Sequence, residues 1–181
     1  MTVTRFEDHV PAIHPTAYVD AMAYVSGQTT LAEGVSIWPT AVVRGDINRI
    51  QIGRLTNVQD GAVLHVTHGG EYTRPDGLPL IIGEEVTIGH RAVLHACTIG
   101  NRCLVGMGAI VLDAAVVEDE VMIGASSLVP PGKVLHSGYL YVGSPVKQAR
   151  ELTSKEKAYL RYSAEYYRKL AERTRASAVG D

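Results

Sequence analysis

The chain is predicted to be an all-β solenoid, a left-handed parallel β-helix of hexapeptide repeats with a C-terminal α-helix. Three observations predict it. Aliphatic residues recur at every sixth position, glycine often follows them, and a helical period appears only after Leu152. Counting by sixes from Ile13 gives Val19, Val25, Leu31, Ile37 and Val43. The step resumes at Ile52, Val58 and Leu64, again at Ile82, Ile88 and Leu94, and finally runs through Ile99, Val105, Val111, Val117, Ile123 and Val129. A helix repeats at 3.6 and a flat strand at 2, so six needs another geometry. Three hexapeptides make one triangular coil, each side a short strand and each corner a tight turn where glycine helps.

Small side chains stand two positions before the aliphatic ones, as at Ala17, Ala23, Ala41, Ala109 and Ala115. The two cysteines, Cys97 and Cys103, occupy such positions and are expected to be buried packing thiols. Between Leu64 and Leu94 the spacing exceeds one coil by twelve residues, which fit the turn-rich THGGEYTRPDGLP after Val66. The β-helix domain is therefore placed at 1–150, with a loop near 66–79. The segment 151–181 is assigned to a helix packed on the prism. Thr153 and Glu156 form a capping box there. Ala158, Tyr159, Tyr162, Ser163, Tyr166 and Leu170 follow at helical spacing, and the final ASAVGD is expected to fray.

The 181 residues carry 17 Lys+Arg against 19 Asp+Glu, a balance that argues against nucleic acid or a membrane surface as partner. The start, MTVTRFEDHVPAIHP, lacks an apolar leader and no apolar run is long enough to span a bilayer, so a soluble cytoplasmic protein is expected.

Histidines raise the question of chemistry. With the loop set aside, His65 and His95 each follow stacked leucines and become neighbours about 5 Å apart, the usual strand spacing. His90 follows Ile88, on the preceding side of the prism, and points away from that pair. One prism cannot gather all three, but two prisms around a three-fold axis can. Three neutral imidazoles with an open position describe a catalytic zinc site. His9, His14 and His136 have no such partners, and His68 sits in the loop as a solvated residue or a proton relay.

RGD at 44–46, NVQDGAVLH at 57–65, IGH at 88–90 and LHACTIG at 94–100 together resemble the γ-class carbonic anhydrases. GMGAIVLD at 106–113 and YVGSP at 141–145 extend the resemblance over nearly the whole chain, closest to the shorter bacterial members. It implies a homotrimer with three interfacial sites where a metal-bound hydroxide hydrates CO2 to bicarbonate. His65, His90 and His95 would be the ligands of Zn²⁺, although Co²⁺ or Fe²⁺ also accepts imidazole. Gln59 would hydrogen-bond the reacting oxygen and Asn57 would line the site. Arg44 would pair with acids across the interface and help hold bicarbonate, Asp46 and Asp60 being the matching acids. For Arg44, Asp46 and Asp60 a purely structural role in holding the trimer is an equal alternative. The chain departs from the family at Ile47, where a glutamate serves proton transfer, and neither Glu71 nor Asp76 matches the second family shuttle. Slow turnover is expected.

Two rival classes remain open. A hexapeptide acyltransferase would use one histidine as general base beside an acyl-coenzyme A, and a thioesterase would be a close variant of the zinc reading. A non-catalytic trimeric scaffold would keep metal for assembly alone.

Overall fold

The computed structural model describes residues 2–177. They form a three-sided parallel β-solenoid with one C-terminal helix, as expected. The first side stacks Val63–His65, Val93–His95, Ile110–Val111 and Leu128–Val129. The second stacks Leu80–Ile82, Thr98–Ile99, Val116–Val117 and Val134–Leu135. Tyr24–Leu31 and Val42–Ile52 are long enough to run through the corner and join these two sides into one sheet. The third side runs from Tyr18–Val19 to Tyr139–Gly143, where an antiparallel hairpin partner, Val146–Glu151, closes the last coil. The hairpin and an extra N-terminal strand, Val3–Thr4, lie outside the repeat, so no period announced them.

The every-sixth residue points inward on each side. Val25, Ile37, Val43, Val58, Leu64, Ile88, Leu94, Val105 and Val111 have no solvent exposure. Strands of two or three residues survive because each pairs above and below while its aliphatic side chain is fully buried, worth about 1.5–3 kcal/mol apiece. Cys97 and Cys103 are buried in the same stack. Burial pushes both thiols up, that of Cys103 to about 12, so neither is a ready thiolate.

The recurring glycines have a different function from the one expected. Gly53 and Gly106 do not adopt left-handed backbone; a Cβ on Gly53 would lie 2.5 Å from Gly83 backbone, and one on Gly106 2.5 Å from the amide nitrogen of Ala125. They let successive coils approach. The left-handed corner positions are taken mainly by other residues, among them Thr40, Leu55, Glu85, Arg91 and Ser126.

The helix spans Ser154–Ser177 and lies along the third side. Its buried face is Leu160, Ser163, Ala164 and Ala171. That differs from the predicted stripe: Tyr159, Tyr162 and Tyr166 face outward, Tyr159 tilted against Tyr162 at 6.1 Å and Tyr162 stacked on Tyr166 at 6.0 Å between ring centres. Small residues permit close approach to the prism, whereas the tyrosines keep their hydroxyls in water. Of the end expected to fray, 178–181 lies outside the described residues. No helix among the described residues is long and apolar enough to cross a membrane.

The capping box is present. A Glu156 carboxylate oxygen accepts from the Thr153 amide and hydroxyl, both at 2.9 Å, and the Glu156 amide donates back to Thr153 Oγ1 at 3.2 Å. Arg150 foremost, then Thr153, holds the Glu156 carboxyl down at about 2. Its folded value lies below its ordinary 4.5, so its stabilisation is complete above that pH and is lost as pH falls towards 2. Glu156→Gln should therefore lower the thermal midpoint at neutral pH, by an amount that shrinks between pH 4.5 and 2. Midpoints measured across that range test it, and a pH-independent difference would sink the assignment.

Candidate metal centre

All departures from the six-residue step fall at one corner, between the first and second sides. Val43 pairs with Leu64, twenty-one residues on, so three extra residues enter at the corner of Val42–Ile52. The next coil gains the 66–79 loop, since Leu64 pairs with Leu94. The coil after it is one residue short, since Leu94 pairs with Val111. Arg44, Asp46, His65, His95 and Asp113 all stand at this irregular corner.

His65 and His95 are register partners. Their ring centres are 5.2 Å apart, and His65 Nδ1 lies 3.1 Å from His95 Nε2. Each ring is held from behind. Asp46 Oδ1 is 3.0 Å from His65 Nε2, and Asp113 Oδ1 is 2.6 Å from His95 Nδ1. Those carboxylates accept the N–H of each neutral imidazole, so the two facing nitrogens present lone pairs to each other. Such an arrangement needs a cation between them or a second proton on one ring. Burial, reinforced by the charge of Arg44, holds His65 below its ordinary value despite the Asp46 hydrogen bond, which disfavours an extra proton on that ring. Two nitrogens on a tetrahedral zinc would be about 3.3 Å apart. The spacing of the pair would suit a metal, and a carboxylate behind an imidazole is the usual orienting partner of a metal-binding histidine.

Asp46 also accepts from Arg44 of its own chain and from the Ile47 amide at 2.9 Å. Burial pushes Asp46 up, but the His65 and Arg44 hydrogen bonds outweigh it and keep its pKa below the usual carboxylate value. Asp113 is likewise raised by burial and lowered further by the hydrogen bonds from Thr67 and His95. Asp113 was given no role by the sequence, although it stands eighteen residues beyond His95, one coil above it.

His90 is at a different corner, between the third and first sides, following Thr87–Ile88. Its Nδ1 lies 2.9 Å from Asp60 Oδ2, one coil below, so it too has a carboxylate behind one nitrogen. Gln59 and Asp60 share this corner: the Gln59 amide donates to the Ile88 carbonyl, and the Arg91 amide donates to the Asp60 carbonyl. Asn57 is fully buried rather than lining the site. It accepts from Gln59 Nε2 at 3.1 Å and donates to Thr87 Oγ1 at 3.1 Å, and that hydroxyl lies 2.9 Å from Ser163 of the helix. Its action on the site passes through Gln59. Beside Gln59 and His90 opens a cavity of about 340 Å³, walled by Met107, Met122, Leu140 and Tyr159.

The predicted residues thus fall into two separate groups on one chain, one with two histidines and one with one. Among the described residues of a single chain, no three His, Cys, Asp or Glu side chains form a metal-holding group. His68 is exposed in the loop, as are Glu71 and Asp76.

Residues 79–113, which contain His90, His95 and Asp113, match the family described as hexapeptide repeat of succinyl-transferase. Protein YrdA of Escherichia coli (strain K12) is 58% identical over 90% of this chain and 88% of its own length. The mitochondrial gamma carbonic anhydrase 2 of Arabidopsis thaliana is 40% identical over 94% of this chain, which spans 61% of that longer protein. A solved hexapeptide transferase family protein from Anaplasma phagocytophilum superposes with a TM-score of 0.87 at 39% identity, over 94% of this chain and 96% of that one. The chain belongs to the hexapeptide-repeat family of parallel β-solenoids whose members include the γ-class carbonic anhydrases.

Proposed function

We propose that this chain is a zinc-dependent enzyme of the carbonic anhydrase type, converting CO2 and water to bicarbonate at sites shared between neighbouring chains of a homotrimer. One observation carries the reading. The inner nitrogens of His65 and His95 face each other at 3.1 Å while carboxylates hold both outer nitrogens. His65 and His95 hold the metal from one chain, and His90 of a neighbour, with Asp60 behind it, supplies the third imidazole. A zinc so held supplies a water acidic enough to act as hydroxide near neutral pH.

The remaining residues bind and orient. Gln59, fixed by buried Asn57, offers an amide to a substrate oxygen next to His90. Arg44 places a cation at the opposite edge, where a bicarbonate oxygen gains a charge-assisted hydrogen bond. Its partner Asp46 keeps it from swinging away. Ile47 follows Asp46 and cannot carry a proton, so the proton produced by hydration must leave by buffer or by another residue.

Purified protein should carry about one zinc per chain. It should hydrate CO2, lose both metal and activity on prolonged chelation, and regain them with added zinc. No stoichiometric metal, even after growth in zinc-supplemented medium, would remove the ligand assignment. The cavity beside His90, far roomier than CO2 needs, favours acyl transfer or thioester hydrolysis as the second reading. An acyltransferase using His90 as its base would keep its activity through chelation.

A further inference from the structure

We propose that Asp113 and Thr67 are positioning residues for His95, and that through them the 66–79 loop is coupled to metal binding. This rests on the metal-site reading above. Both Asp113 oxygens are committed: Oδ1 accepts from His95 Nδ1 at 2.6 Å, and Oδ2 accepts from the Thr67 hydroxyl. Asp113 comes from the coil above and Thr67 from the neck of the loop, so the His95 ring is braced by an element distant in sequence.

That neck is tightly built. Thr67 and Leu78 exchange backbone hydrogen bonds at 3.0 and 2.9 Å. Asn48, one of the extra residues at the same corner, donates its side-chain amide to the carbonyls of Thr67 at 3.2 Å and Asp76 at 2.9 Å. Gly77 has left-handed backbone, and a Cβ there would sit 2.2 Å from the Thr67 carbonyl oxygen, so only glycine allows the strands of the neck to close. The three-residue and twelve-residue insertions therefore brace one another, and Thr67 is where they meet. Its hydroxyl is the link from that frame to the ligand.

Without the hydroxyl, Asp113 loses the bond that fixes its rotation and His95 loses a defined orientation. Removing such outer partners costs metal affinity about 10- to 100-fold. Coupling is reciprocal: if the loop steadies the metal, the metal must steady the loop by the same factor.

The test measures zinc affinity by competition with a chromophoric chelator, and amide hydrogen exchange over residues 68–77 with and without zinc. It uses the full-length protein and its Thr67→Val, Thr67→Ser and Asp113→Ala variants. Thr67→Val should bind zinc about tenfold more weakly, Asp113→Ala up to about 100-fold, and Thr67→Ser should be close to wild type. Zinc should slow loop exchange in wild type and Thr67→Ser, and much less in Thr67→Val. The metal-free thermal midpoint of Thr67→Val should barely move, which separates positioning from general destabilisation. Should Asp113→Ala fail to fold, the Thr67 pair decides alone. Wild-type zinc affinity and zinc-slowed loop exchange in Thr67→Val would overturn the proposal and leave the metal site standing. A wild-type protein with no zinc affinity would overturn both.

Discussion

His95→Ala is expected to abolish stoichiometric zinc and reduce CO2 hydration to the background rate. The variant removes one of the two nitrogens that face each other at 3.1 Å. A first ligand matters more than its orienting partner, so the loss should exceed the 10- to 100-fold typical of outer residues. The fold should persist, because His95 lies one-third exposed at a corner while Leu94 beside it fills the core. His14→Ala is the matched control: His14 is exposed, hydrogen-bonds Thr16, and should leave metal content unchanged. Elemental analysis of both variants and circular dichroism of the folded chains decide the matter. Full zinc retention in His95→Ala would refute its assignment as a ligand.

Much of this architecture was legible because the solenoid writes its cross-section into the sequence. A period of six fixes which residue points inward, and the excess between Leu64 and Leu94 locates the loop. The same arithmetic pairs His65 with His95, and the register agrees residue for residue. It also places His90 on another corner, which a helical or flat-strand reading could not do.

What stayed hidden depends on side-chain direction and on aperiodic segments. Asp113 is remote from His95 in sequence, and only a one-coil offset brings the two together. Asn57 is expected on the site wall, but it stands on the outer face of the third side beneath the C-terminal helix, where hydrogen bonds to Gln59 and Thr87 satisfy it. The tyrosine stripe reads as the packed face of the helix when aromatic residues count as apolar. Close packing against a prism selects serine and alanine instead. The glycines that follow the aliphatic positions, such as Gly53 and Gly106, are spacers between coils rather than turn formers, a distinction that only backbone proximity reveals.

The His65/His95 pair of one chain is expected to share its metal with His90 of a neighbouring chain, and subunit mixing tests that sharing. His90→Ala and His65→Ala homotrimers should each lack every complete site. When the two are unfolded together in equal amounts and refolded, chains assort at random. A site is restored wherever an His90→Ala chain supplies His65 and His95 and an His65→Ala neighbour supplies His90. That happens at about one quarter of the interfaces in a cyclic assembly. Tight zinc binding and CO2 hydration should return to roughly that fraction of wild type. A mixture of His65→Ala with His95→Ala, both damaged in the same half-site, should restore nothing. Mixed trimers verified by mass, with neither mixture regaining zinc or activity, would contradict a site shared between chains.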